Sequence, residues 1–166
     1  EEYKRRGGDA AIVEAYRPKL VNLVNYLKTF RNQDGLLERL PSWVFVEWSR
    51  ANFLVQDVNY PSNMMWAEVL SAMDRLYGMP ELAAEAERVR ETVRRQSWTG
   101  EWFCDNAKRR KDGTLELSGE CTETCQYYAF YFKTATRLLC RHFKKWKSHT
   151  NFTRCTCCIK RVGYTI

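Results

Sequence analysis

Between two apolar-periodic stretches the chain reads Gly78-Met79-Pro80, and this stop–start signal restricts the fold more than any other feature. Glycine is the residue of choice just past a helix C-terminus, and proline suits the first turn of the next helix. Upstream, Trp66, Val69, Leu70, Met73, Leu76 and Tyr77 fall on one helical stripe. Downstream, Leu82, Ala83, Ala86, Val89 and Val93 form a second stripe, with Glu91 and Arg95 paired on the outer side. So short a connection forces the two helices antiparallel. Pro61-Ser62 opens the first of them, with Ser62 expected as its cap.

The remaining helices are weaker signals. Tyr3 to Arg6 reads as a helix end closed by Gly7-Gly8, and Asp9 as the N-cap of Ala10 to Tyr16. Pro18 then suggests a break and a fresh start. Leu20, Leu23, Val24, Leu27 and Phe30 give the new segment one apolar stripe, ended by the Asp34-Gly35 turn. Thr122 caps a last helix whose run Cys125 to Phe132 is apolar nearly all round. Such a helix belongs inside a larger structure. The expectation is an all-α chain of about five helices joined by long Trp-rich loops.

With 166 residues there is room for one domain. No apolar run approaches the ~20 residues of a membrane span. The chain opens on Glu1 without a basic-then-apolar leader. A true start further upstream is expected, and the compartment is left undecided. The net charge of +7 is unevenly spread: residues 137–166 carry eight basic and no acidic side chains, and residues 1–136 carry nineteen basic against twenty acidic. The basic character is therefore a property of the tail. Its interleaved Phe143, Trp146 and Phe152 are compatible with phosphate neutralisation and stacking. A meaningless segment is the preferred reading, so no specific nucleic-acid partner is expected.

Cysteine usage says little. Cys104, Cys121 and Cys125 lack metal spacing. In the tail, Cys155, Cys157 and Cys158 with His142 and His149 do not follow C-x₂-C, and adjacent cysteines seldom serve one zinc. No metal and no cofactor are expected. Asn151-Phe152-Thr153 is a sequon of a kind common by chance.

Chemistry-bearing residues collect in the two long connections, 34–61 and 98–121. The first holds Trp43, Glu47, Trp48, Asp57, Asn59 and Tyr60; the second holds Trp98, Glu101, Trp102, Asp105 and Asn106 and runs on to Glu123 and Gln126. Aromatic faces stack on sugar C–H faces, and Asp, Glu and Asn bond sugar hydroxyls. Paired carboxylates are also what glycoside hydrolysis uses. The plain alternative is that the Trp side chains pack the loops down while the carboxylates cap or form ion pairs. Glu47 sits between Val46 and Trp48, so it is either hydrogen-bonded structurally or turned to a polar cleft, because burying an unpaired charge is costly. Glu123, in a first helical turn, has its anion favoured by the helix dipole. For Gln126 a cleft-facing amide and a buried structural amide stand level.

At the strings FVEWS (45–49), DVNYPSN (57–63), FCDNA (103–107) and TETCQYYAF (122–130) the chain resembles the catalytic domain of bacterial α-L-rhamnosidase-like six-hairpin glycosidases. DGLLERLPSWVFVEWS and LYGMPELAAEAERVRETVRRQS fit the same register, and the resemblance covers residues 1–136. It implies part of an (α/α)6 barrel and inverting hydrolysis of terminal α-L-rhamnosyl or similar bonds, with a rhamnose-containing glycoside as substrate. An acid then protonates the leaving oxygen while a base activates water from the opposite face. The family's general-acid motif precedes the part matching residue 1, and its general-base motif follows the part matching 122–136. No catalytic residue is therefore assigned in this chain. Glu47, Trp48, Asp57 and Asn59 carry over as substrate-cleft positions, joined by Glu123 and Gln126. A ring of twelve helices cannot close with five, so exposed apolar surface and self-association are expected. A non-catalytic carbohydrate-binding helical module is the alternative. Residues 137–166 depart from the family, and out-of-frame translation or a broken gene end is the favoured explanation.

Overall fold

The computed structural model describes residues 1–41, 44 and 57–136. Glu47, Trp48, Trp43 and the whole of 137–166 lie outside the described residues. Among the described residues, five helices and three short strands follow in the order α1 (Glu2–Arg5), α2 (Ala10–Lys28), β1 (Val58–Asn59), α3 (Tyr60–Tyr77), α4 (Pro80–Ser97), β2 (Asn106–Arg109), β3 (Leu115–Leu117) and α5 (Glu123–Tyr131). Helix dominates, as expected. The sheet was not foreseen, because its strands are two to four residues long and β2 reads Asn-Ala-Lys-Arg, without the apolar alternation that marks a strand.

The α3–α4 hairpin is the centre of the molecule. Gly78 closes α3 in the left-handed conformation, φ 65°, and its N–H donates to the Asp74 carbonyl. Pro80 begins α4. Trp66, Leu70 and Met73 of α3 face Leu82, Ala86, Val89 and Val93 of α4 in one core, which Val24, Leu36, Leu37, Tyr60, Phe103, Cys125 and Ala129 complete. Charged side chains lock the hairpin to its neighbours. Glu85, on the inner side of α4, pairs with Lys28 at 2.8 Å and Arg31 at 2.6 Å. Arg90 reaches Glu68 and Ser71 on α3 and donates through Nε to the Phe132 carbonyl beyond α5.

Three local expectations change. The cap of α3 is Asn59: its Oδ1 accepts from the Ser62 N–H at 2.9 Å, and Pro61 occupies the first turn. A proline there has no N–H to leave unpaired, so the helix starts before Ser62. Second, Pro18 does not divide the chain, and α2 runs through it. Pro18 and Glu14 are both exposed, so the Glu14 carbonyl that loses its partner can turn to water. Third, Leu23 is 48% exposed. Leu20, Val24, Leu27 and Phe30 belong to the core, whereas Ile12, Tyr16, Leu23 and Tyr26 form an exposed stripe on the other side of α2. Asp9 caps α2 through the Ala11 N–H, as read from the sequence.

Among the described residues no helix is long and apolar enough to cross a membrane.

Candidate substrate-facing site

The two long connections meet edge to edge. β1 pairs antiparallel with β2, setting Val58 opposite Ala107 and Asn59 opposite Asn106. β2 pairs onward with β3, setting Lys108 opposite Glu116. The turn between them is made by Asp112, whose Oδ1 accepts from the N–H and hydroxyl of Thr114, and by Gly113 at φ 86°. The sheet thus gathers Asp57, Asn59, Asp105 and Asn106, which the sequence keeps almost fifty residues apart, beside the N-terminus of α5.

Of the predicted positions, Asp57, Asn59, Glu123 and Gln126 are among the described residues, and Glu47 and Trp48 lie outside them. Asp57 is partly exposed. Its Oδ2 accepts from the Arg109 N–H at 2.6 Å and its Oδ1 from Arg39 Nε at 3.1 Å. Burial pushes its carboxyl up, but the Arg109 N–H and the Arg39 guanidinium outweigh it and hold the group below its ordinary value. Asn59 is buried. Besides capping α3, its Nδ2 donates to Asn106 Oδ1 at 2.9 Å. Glu123 is half-buried in the first turn of α5; its Oε1 accepts from the Tyr127 hydroxyl. Its Oε2 is buried without a hydrogen-bond partner among the described residues.

Gln126 is 0% exposed. Its Oε1 accepts from the Phe103 N–H at 2.9 Å, and its Nε2 donates to the Phe103 carbonyl at 2.8 Å and the Thr122 carbonyl at 3.0 Å. The amide is fully engaged with backbone. Of the two roles open to it from the sequence, this arrangement is the structural one.

Further residues of the site were not among the predicted substrate-cleft positions. Asn63 repeats the device of Gln126: its Oδ1 accepts from the Leu37 N–H at 2.7 Å and its Nδ2 donates to the Leu37 carbonyl at 3.0 Å. Two buried amides therefore clamp the two long connections to α3 and α5. Glu38 and Arg109 form a bidentate pair, Nε to Oε1 at 3.0 Å and Nη2 to Oε2 at 2.5 Å. That pair and the Asn32 amide hold the Glu38 carboxyl below its ordinary range, the guanidinium being the larger influence. Asp105 is buried beneath the α5 cap. Its Oδ1 accepts from the N–H and hydroxyl of Thr122, each at 3.1 Å. Burial pushes the carboxyl up to about 6, and the Thr122 donors oppose the rise only in part.

Taken together, Asp57 is the partly exposed carboxylate of the arrangement, held by Arg109 and Arg39, and Glu123 is half-buried with Oε1 on Tyr127 and Oε2 enclosed. Asn59, Asn106, Asp105 and Gln126 hold the backbone that carries them. The indole of Trp98, at the end of α4, packs on Phe103 with ring centres 5.0 Å apart. Among the described residues, no group of three or more His, Cys, Asp or Glu side chains is arranged to hold a metal ion.

The fold is similar to that of the GH78 family rhamnosidase of Bacillus sp. GL1, known from a crystal structure, with a TM-score of 0.70 and 17% sequence identity. The likeness covers 86% of this chain and 15% of that one. No protein-family model matches the sequence, and no curated protein matches it. At such low identity the likeness defines a fold. The chain has the fold of part of a helical, glycosidase-like domain.

Proposed function

We propose that residues 1–136 are a segment of a glycoside hydrolase domain that acts on terminal α-L-rhamnosyl or similar bonds by inverting hydrolysis. The observation that carries this reading is the fold likeness to the GH78 rhamnosidase over most of this chain. The strings FVEWS, DVNYPSN, FCDNA and TETCQYYAF support it independently of the backbone. Within it, Glu47, Trp48, Asp57 and Glu123 border the sugar, while Asn59 and Gln126 keep the two loops in register. Inversion needs a general acid and a general base on opposite faces of the sugar. The proposal assigns neither to a residue of this chain, so the isolated chain binds without turning over.

The test is a hydrolysis assay on 4-nitrophenyl α-L-rhamnopyranoside, run on this chain and on the full product of its gene, with calorimetric titration of L-rhamnose into both. Turnover by the full product and none by the chain is the expected result. Robust turnover by the chain alone overturns its incompleteness. Saturable binding without turnover by either protein favours a carbohydrate-binding module instead, and absence of both ends the sugar reading.

A further inference from the structure

Cys104 and Cys121 stand with their sulfurs 3.4 Å apart, in hydrogen-bond contact, and both are free thiols. Neither takes part in the site described above. Their proximity is built into the backbone. The Asp105 N–H donates to the Glu120 carbonyl at 2.8 Å, and the Asp105 carboxylate takes the Thr122 N–H. The segment 104–105 and the segment 120–122 are thus stitched side by side, one residue away from each sulfur. Cys104 is fully buried, whereas Cys121 is partly exposed. The third thiol, Cys125, is buried and directed at the Cys104 carbonyl at 3.5 Å.

We propose that Cys104 and Cys121 are a disulfide-forming pair, oxidised by a low-molecular-weight disulfide such as oxidised glutathione. Closing the bond brings the sulfurs from 3.4 Å to about 2.05 Å, which side-chain rotation supplies while the backbone bonds on Asp105 stay made. The exposed sulfur meets the oxidant first. The Cys121 sulfur attacks one glutathione sulfur, forms the mixed disulfide and releases one glutathione thiol, which takes the Cys121 proton. The buried Cys104 sulfur then attacks the Cys121 sulfur and releases the second glutathione thiol, which takes the Cys104 proton. Two protein thiols are oxidised to one disulfide, and one glutathione disulfide is reduced to two thiols. The hydrogen bond between the two sulfurs draws the Cys104 thiol below its ordinary value, against burial, and with burial pushes the Cys121 thiol up. Exposure, not thiolate fraction, therefore makes Cys121 the entry point, and the lowered Cys104 thiol serves the resolving step. The link ties the connection 118–122, and with it the N-terminus of α5, to the start of β2.

The experiment oxidises the full 166-residue chain with excess oxidised glutathione under native conditions, alkylates the remaining thiols and maps disulfides by mass spectrometry. Digestion after Lys and Arg releases Cys104 in peptide 96–108, and further cleavage after Glu123 separates Cys121 from Cys125. The expected product joins Cys104 to Cys121 with loss of two hydrogens, leaving Cys125 alkylated only after unfolding. The same oxidation of the chain unfolded in urea spreads the partners of Cys104 over the other cysteines. Any of three native outcomes overturns the proposal: Cys104 alkylated while glutathione remains on Cys121, Cys104 joined to Cys125, or pairing no more selective than in urea.

Discussion

The side-chain amide of Asn59 donates to Asn106 Oδ1 at 2.9 Å while its own Oδ1 caps α3. One residue therefore closes the β1–β2 register and starts the central helix. Its burial means that neither bond can be replaced by water without cost.

Asn59→Ala removes the cap oxygen used by the Ser62 N–H and hydroxyl and strands the Asn106 carbonyl. The expected destabilisation is about 2 kcal/mol, from a lost cap and an unsatisfied buried acceptor. Asn59→Asp keeps the cap and loses only the donor, so its urea midpoint should fall between those of wild type and Asn59→Ala. Equal midpoints for the two variants would remove the capping role.

Gln126→Leu fills similar space but leaves the Phe103 N–H and carbonyl and the Thr122 carbonyl without the partners they have now. The loss should reach roughly 3 kcal/mol, since buried unpaired backbone groups cost about 1–3 kcal/mol each. Urea denaturation checks the magnitude. A variant as stable as wild type would show that water reaches Phe103.

Asp105 predicts an unusual pH response. Its folded carboxyl titrates at about 6, raised by burial from 3.8. A raised acid favours folding only while it is protonated. The penalty is absent below the unfolded value, grows through the interval and is complete above about 6. Its size is about 3 kcal/mol. Stability should therefore rise as pH falls from 7 to 5. Asp105→Asn, which can still accept from Thr122, should be at least as stable as wild type at pH 7 and lose that rise. Glu38 acts with the opposite sign. Its lowered carboxyl stabilises the fold above about 4.5, and that contribution disappears as pH falls through its folded value. Urea midpoints at pH 7, 5 and 4 for wild type and Asp105→Asn separate the two; parallel curves would contradict the assignment.

Gly78→Ala isolates a backbone effect. Nothing lies within 4 Å of an added Cβ, yet φ is +65°. The cost should be about 1 kcal/mol, the left-handed penalty of an L-residue, without any packing change. A loss several-fold larger would mean that the α3–α4 turn itself had rearranged.

Ile12, Tyr16, Leu23 and Tyr26 leave an apolar stripe open on α2, with Phe130 and Tyr131 exposed on α5. The chain should bind a hydrophobic dye and associate as concentration rises. Leu23→Lys with Tyr16→Lys should lower both signals while leaving the Val24 side of the helix intact. A monodisperse wild-type chain in sedimentation, indifferent to dye, would refute this.

Much of the helical framework was legible because its signals are local. Gly78 and Pro80 act through their own backbone torsions, Asp9 and Thr122 through N–H groups within three residues, and the apolar spacing of α4 through helix period alone. The site was less legible. Nothing local distinguishes Asn63 and Gln126 from surface amides; they became clamps because Leu37 and Phe103, from other parts of the chain, lie against them. Asp105 looked like one acid among several in a loop, and its carboxyl is raised chiefly because the fold buries it.

From the amino-acid order alone came the helical hairpin and most of the helix framework, since helix starts, stops and faces depend on neighbours within a turn or two. The tertiary structure decided the pairing of Asn59 with Asn106, the passage of α2 through Pro18, the outward face of Leu23 and the contact of Cys104 with Cys121. These depend on which distant backbone arrives alongside, and therefore on the packing of the whole chain.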